Sequence, residues 1–149
     1  MTIPTSIIRL MITAVIAGLT SISVANAEIS VIVNPSNPVN SLSERQVRKL
    51  FLGKTTLFPF TEQEALIIDQ NPSQGVYHSF YRNLLHINPQ KLARYRAASL
   101  FSGNGPVPLV LADDVAVIEF VLNHPEAIGY VLDLNNESSV KTVYSFAQD

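Results

Sequence analysis

The chain has no cysteine and no tryptophan. Without Cys neither a disulfide framework nor a thiolate metal site can form, so apolar packing has to hold the fold together. Charge is sparse as well, at 15% Asp, Glu, Lys and Arg over 149 residues, with a formal net charge of −2. Such a chain lacks the electrostatic footprint of a general nucleic-acid binder or of an acidic-membrane binder. No G-x-S-x-G is present, which removes the strand-to-helix nucleophile elbow. GKTT at 53–56 looks like the end of a phosphate-binding loop, but Arg48 stands where a second Gly is required and a helical pattern leads in. His78 and His86 lie about 12 Å apart along one helical segment, too far to share an ion. Asp113-Asp114 reads as helix capping and Glu62 with Glu64 as a solvated loop. No metal, no cofactor and no enzymatic activity are expected, and the chain shows neither a repeat nor a low-complexity segment.

What is present begins with one long hydrophobic run. Arg9 is the only charge in the first 27 residues, Leu10 to Val24 is almost wholly apolar or small, and Ala25-Asn26-Ala27 has the A-x-A form of a cleavage site. The run is broken by Gly18 and Thr20 and falls short of the roughly 20 apolar residues that a membrane span needs. Residues 1–27 therefore read as a cleaved export signal and 28–149 as one compact domain. Eight of the nine basic residues in that domain fall between Arg45 and Arg96. Arg45, Arg48 and Lys49 share one helical face, by default solvated, with docking of an acidic partner as the alternative.

Local patterns place the elements. EISVIVN at 28–34 is a β-branched strand closed by the turn-former NPSNP. In SLSERQVRKLFLGK, Ser43 and Gln46 form a capping pair, Val47, Leu50 and Phe51 recur at helical spacing, and Gly53 stops the helix. ALIID at 65–69 is a buried strand, and from Ser73 the period turns helical, with Val76, Phe80 and Leu84 beside Tyr77, Tyr81 and Leu85. His78, Arg82 and His86 are left on the outer side. Asn88-Pro89 starts a further helix that runs to Gly103. LVLA forms a short strand, Asp113 caps the last helix, and AIGYVLD and VKTVYSF are closing strands. Alternating strands and helices predict an α/β fold with a mainly parallel sheet flanked by helices. The short LNNESS connection suggests an antiparallel pairing of the last two strands at one edge.

The stretch DQNPSQGVYHSFYRN, 69 to 83, poses the functional question. A helix start presents amides without partners and the positive end of its dipole, which together attract an anion. The donors here are Ser73 Oγ and the N–H groups of Gln74, Gly75 and Val76. Asn34, at the end of the first strand, is a further candidate, because ligands of open α/β sheets bind beyond strand ends.

Four segments in order, IVNPSNPVNSLSERQVRKLFLGK, DQNPSQGVYHSFYRNLL, LFSGNGPVP and HPEAIGYV, resemble the phosphate ABC transporter substrate-binding proteins over about Ile29 to Val131. The resemblance implies one lobe of a type II periplasmic-binding-protein fold, periplasmic location, binding of phosphate or another small oxyanion or solute, and an ABC permease or other membrane partner. Full-length members have two lobes that close on the ligand, and 28–149 supplies about one, so a second copy is a candidate for completing the site. In that family an Arg, three residues and Ser-Gly-Thr open the helix. Here Asp69 stands in the Arg position, followed by Gln70-Asn71-Pro72 and Ser73-Gln74-Gly75. A carboxylate there repels an anion by roughly 4 kcal/mol at 4 Å near a surface. The alternative is therefore a protein-protein adaptor that kept the fold and lost the ligand.

Overall fold

A computed structural model describes residues 27–103, 105–134 and 139–148. The export-signal reading concerns residues that, Ala27 apart, lie outside the described ones. Strand β1 (Glu28–Val33) leads to helix α1 (Glu44–Phe51) and strand β2 (Leu66–Gln70). Next come α2 (Gly75–Ser79), continued by a π-helical turn at Phe80–Leu84, and α3 (Pro89–Phe101). Strand β3 (Leu109–Leu111), helix α4 (Asp114–Asn123), β4 (Ala127–Val131) and β5 (Lys141–Ala147) complete the order. No helix among the described residues is long and apolar enough to cross a membrane.

The helix boundaries follow from local chemistry. Ser43 accepts from the Gln46 amide while Gln46 reaches back to the Ser43 N–H, a reciprocal cap for α1. Gly53 takes a φ of +67° just past that helix, a left-handed conformation that suits glycine. Asn88 caps α3 through the Lys91 amide, with Pro89 in the first turn, and Asp113 caps α4 through the Ala116 amide.

The five strands form one sheet in the order β3-β2-β4-β1-β5. β2 runs parallel to both β3 and β4, while β1 is antiparallel to β4 on one side and to β5 on the other. Four strands thus point the same way and β1 alone is reversed, a mixed and mostly parallel α/β sheet. The expected pairing of the last two strands with each other does not occur, because β1 lies between them. β1 is buried on both faces and supplies hydrogen bonds to both neighbours, which a pairing of β4 with β5 would displace.

Alternation along the strands divides the core in two. Ile29, Val31 and Val33 of β1, with Ile67, Ile128 and Tyr130, pack under α1, α2 and the π turn. Ile32, Ile68, Ala127 and Val131 pack against Val117, Ile118 and Val121 of α4 on the other face. Phe80 stacks on Tyr130 at 3.8 Å between ring centroids, and Phe51 meets Phe80 edge-on at 4.8 Å. The same alternation sends Asp69 of β2 to the α2 side and its neighbour Gln70 to the α4 side.

α4 packs tightly on the sheet at Gly129, where a Cβ would stand 2.7 Å from Val117 Cγ1 and 3.4 Å from Ile68 Cβ. Gly129→Ala is therefore expected to overpack this layer and cost about 2 kcal/mol, read as a lower denaturant midpoint with an unchanged slope. An unchanged midpoint would show that the two layers can separate freely.

Candidate functional site

The parallel strands β2, β3 and β4 carry their carboxyl ends to one edge of the sheet. There they meet the start of α2, through Gln74, Gly75 and Val76, and the start of α4, through Asp113 and Asp114. Between them lies a crevice of about 340 Å³, with Gln70, Leu132 and Gln148 completing its wall. A Cβ on Gly75 would meet nothing within 4 Å, so the helix entrance faces open space. Gln74 Nε2 donates to the Ala112 carbonyl at 3.2 Å, tying the start of α2 to the end of β3.

The donors expected at this entrance are placed unequally. Gln74, Gly75 and Val76 line the crevice together. Ser73 is exposed and precedes the wall, and helix α2 begins at Gly75, two residues beyond the expected start. The cause is a turn built on Asn71, whose Oδ1 accepts the Ser73 amide at 2.9 Å while its carbonyl accepts the Gln74 amide at 2.9 Å. Those two N–H groups are spent on the turn. Asn34 lies at the opposite end of the sheet, because β1 runs against the parallel strands. Its amide donates to the Val121 and Leu122 carbonyls at 3.0 and 2.9 Å, closing the carboxyl end of α4. Arg45, Arg48 and Lys49 line a separate, shallow groove on α1, where Arg48 pairs with Glu44 at 3.6 Å. Among the described residues no group of His, Asp or Glu could hold a metal ion.

The two acidic residues of the crevice already have partners. Asp113 caps α4. Asp114 accepts from Gln70 Nε2 at 2.5 Å and from the Leu132 and Asp133 amides at 3.1 and 2.9 Å, joining the ends of β2, β4 and α4. An incoming solute meets amide donors on the α2 side and carboxylate oxygens on the α4 side.

Asp69, the residue that set the electrostatic problem, is 0% exposed and points away from this crevice. Its carboxylate pairs with Arg96 Nη1 at 2.8 Å. It also accepts from Tyr81 Oη at 2.8 Å, Tyr130 Oη at 2.5 Å and its neighbour's amide, Gln70 N–H, at 2.9 Å. Arg96 in turn donates to Tyr81 Oη and lies over that ring, 5.0 Å from its centroid. Three neutral donors and one opposite charge are what lets a buried carboxylate remain in an apolar core. The parity of β2 foretells the direction of Asp69, since Ile67 and Asp69 must share a face. Arg96, 27 positions on, has no local mark beyond standing four residues from Leu92, the one buried residue of α3.

The class of fold follows from this geometry: a mixed α/β lobe with its crevice at the carboxyl ends of parallel strands and the start of two helices. Solved structures with this fold include an ABC-type phosphate transport receptor from Vibrio cholerae (TM-score 0.63, 19% identity), which the alignment covers over 46% of its length. Another is PstS from Borrelia burgdorferi (TM-score 0.61, 20% identity, 48% covered). A third, assigned as a phosphate ABC transporter substrate-binding protein with bound phosphate, comes from Clostridium perfringens (TM-score 0.63, 18% identity, 45% covered). Each alignment covers 78% of the present chain, which therefore has the fold of part of such a protein and spans under half of their length. No protein-family model matches the sequence, and no curated protein does.

The tyrosines of the Asp69 cluster generate a pH prediction. Burial first, and the adjacent Asp69 charge second, raise the hydroxyls of Tyr81 and Tyr130 well above the ordinary tyrosine value. A raised folded value means that stability is fully present below the unfolded value, near 10, and is lost as pH rises above it. Urea unfolding followed from about pH 8 to about pH 11 should show this loss, and Tyr81→Phe should make it shallower. Equal alkaline slopes in the two proteins would remove the buried hydroxyl as its source.

Proposed function

We propose that this chain is an exported solute-binding lobe that captures a small protonated oxyanion, with hydrogen phosphate the best fit, for an ABC permease. Export by residues 1–27 and a periplasmic place of work belong to the same reading, as does the absence of catalysis. The observation that carries it is the open crevice at Gln74, Gly75 and Val76, from which the Asp69 charge has been withdrawn into the core. Ser73, exposed just ahead of the helix, supplies a hydroxyl if the ligand reaches over the rim. Asp113 and Asp114 then act as a filter. A P–OH group can donate to a carboxylate, whereas sulfate brings only acceptors and meets repulsion. The helix entrance contributes up to about 2 kcal/mol and each charge-assisted bond about 1.5 to 3, so an open single lobe reaches roughly millimolar affinity. A second copy or the membrane partner would close the crevice and tighten it.

The second reading, a protein-protein adaptor with no small ligand, is favoured by one feature: Asp113 already fills the start of α4 with the protein's own carboxylate. Titrating phosphate and sulfate against the protein separates the two. Phosphate at millimolar concentration should shift the Gly75 and Val76 amide resonances and sulfate should leave them in place. Silence of both amides toward both anions would favour the adaptor.

A further inference from the structure

A second cavity is lined in part by Arg96 and shares no residue with the crevice. It holds about 240 Å³ between the end of α1, the second half of α3 and the segment leading into β3. A dry 150 Å³ cavity is enough for benzene, so this space suits a body of about six to nine carbons. Phe51, Leu52, Pro106 and Pro108 form its apolar wall. Its mouth is ringed by Leu100, Val107 and Val110, which are 62%, 64% and 50% exposed. Apolar side chains left open around a cavity mark a place that an apolar ligand can cover.

The polar side chains of the wall are few, and most are spent. Tyr95 Oη donates to the Leu52 carbonyl at 2.7 Å and Ser99 Oγ to the Tyr95 carbonyl at 3.0 Å. Arg96 differs. Its guanidinium has five N–H donors, of which one goes to Asp69 and one to Tyr81, and its side chain is 25% exposed. Asp69 does not need the others, because two tyrosine hydroxyls and a backbone amide already serve it. The cavity therefore combines an apolar body with one guanidinium that is paired to Asp69 and still has donors to spare.

We propose that this pocket binds a small monocarboxylic acid with an apolar body, its carboxylate held by Arg96 and its carbon skeleton seated between α1, α3 and the 105–108 segment. The guanidinium fork matches a carboxylate, and the volume and open apolar mouth match a single aromatic ring or a short chain. Bare inorganic phosphate, with no apolar body, has nothing to cover the mouth and is not the ligand of this pocket. The site is independent of whether the crevice binds an oxyanion.

Benzoate and the uncharged benzyl alcohol, nearly equal in size, test the proposal against the full chain at constant ionic strength, followed by the methyl resonances of Leu100, Val107 and Val110. Benzoate should shift them with a midpoint roughly tenfold lower than benzyl alcohol. The double variant Asp69→Asn with Arg96→Gln keeps shape and hydrogen bonding without an unpaired buried charge, and should lose that preference. Equal midpoints in the unaltered protein, no shift with either probe, or a preference retained by the double variant would each overturn it.

Discussion

A carboxylate in the middle of an apolar core sets the terms for the rest of this molecule. Asp69 lies on a strand buried on both faces, and its charge would be prohibitive there without compensation. The compensation draws on every layer around it: Tyr130 from the central strand, Tyr81 from the π turn, the Gln70 amide from its own strand, and Arg96 from α3. α3 buries only Leu92 of its own side chains, so apolar packing alone holds it weakly. The ion pair, with the Tyr95 bond to Leu52, is what fixes it over the sheet. One interaction thereby solves an electrostatic problem in the core, docks a helix, and supplies a wall residue, Arg96, to the second cavity.

Its consequence for function is a separation of charges by strand parity. Asp69 and Gln70 are neighbours in sequence, yet the first is sealed among aromatic rings while the second reaches Asp114 at the crevice. The helix entrance at Gly75 consequently faces Asp113 and Asp114, with Asp69 removed. The crevice thus has amides on one side and carboxylates on the other. Arg96, which meets Asp69 on that face, also lines the second cavity.

Much of this fold can be read locally, because capping and period are local physics. Ser43 with Gln46, Asn88 with Pro89, and Asp113 each mark a helix start through bonds spanning three residues. The α/β class and the mainly parallel direction follow from element alternation. What could not be read is what depends on distant pairing. Insertion of β1 between β4 and β5 is decided by hydrogen bonds across about a hundred residues, and it carries Asn34 to the end of the sheet away from the crevice. The late start of α2 depends on Asn71 taking two amides, a local feature that the stronger helical periodicity hid. Arg96 as the partner of Asp69 had no sequence mark, since a basic residue on an exposed helix normally reads as solvated.

A double-mutant cycle between Asp69→Asn and Arg96→Gln, measured by denaturant unfolding at neutral pH, tests most directly that Arg96 takes up the Asp69 charge inside the core. Each single change should be strongly destabilising, the pair together much less so, with a coupling energy of about 2 kcal/mol or more. Single effects that simply add, to within about 0.5 kcal/mol, would contradict it.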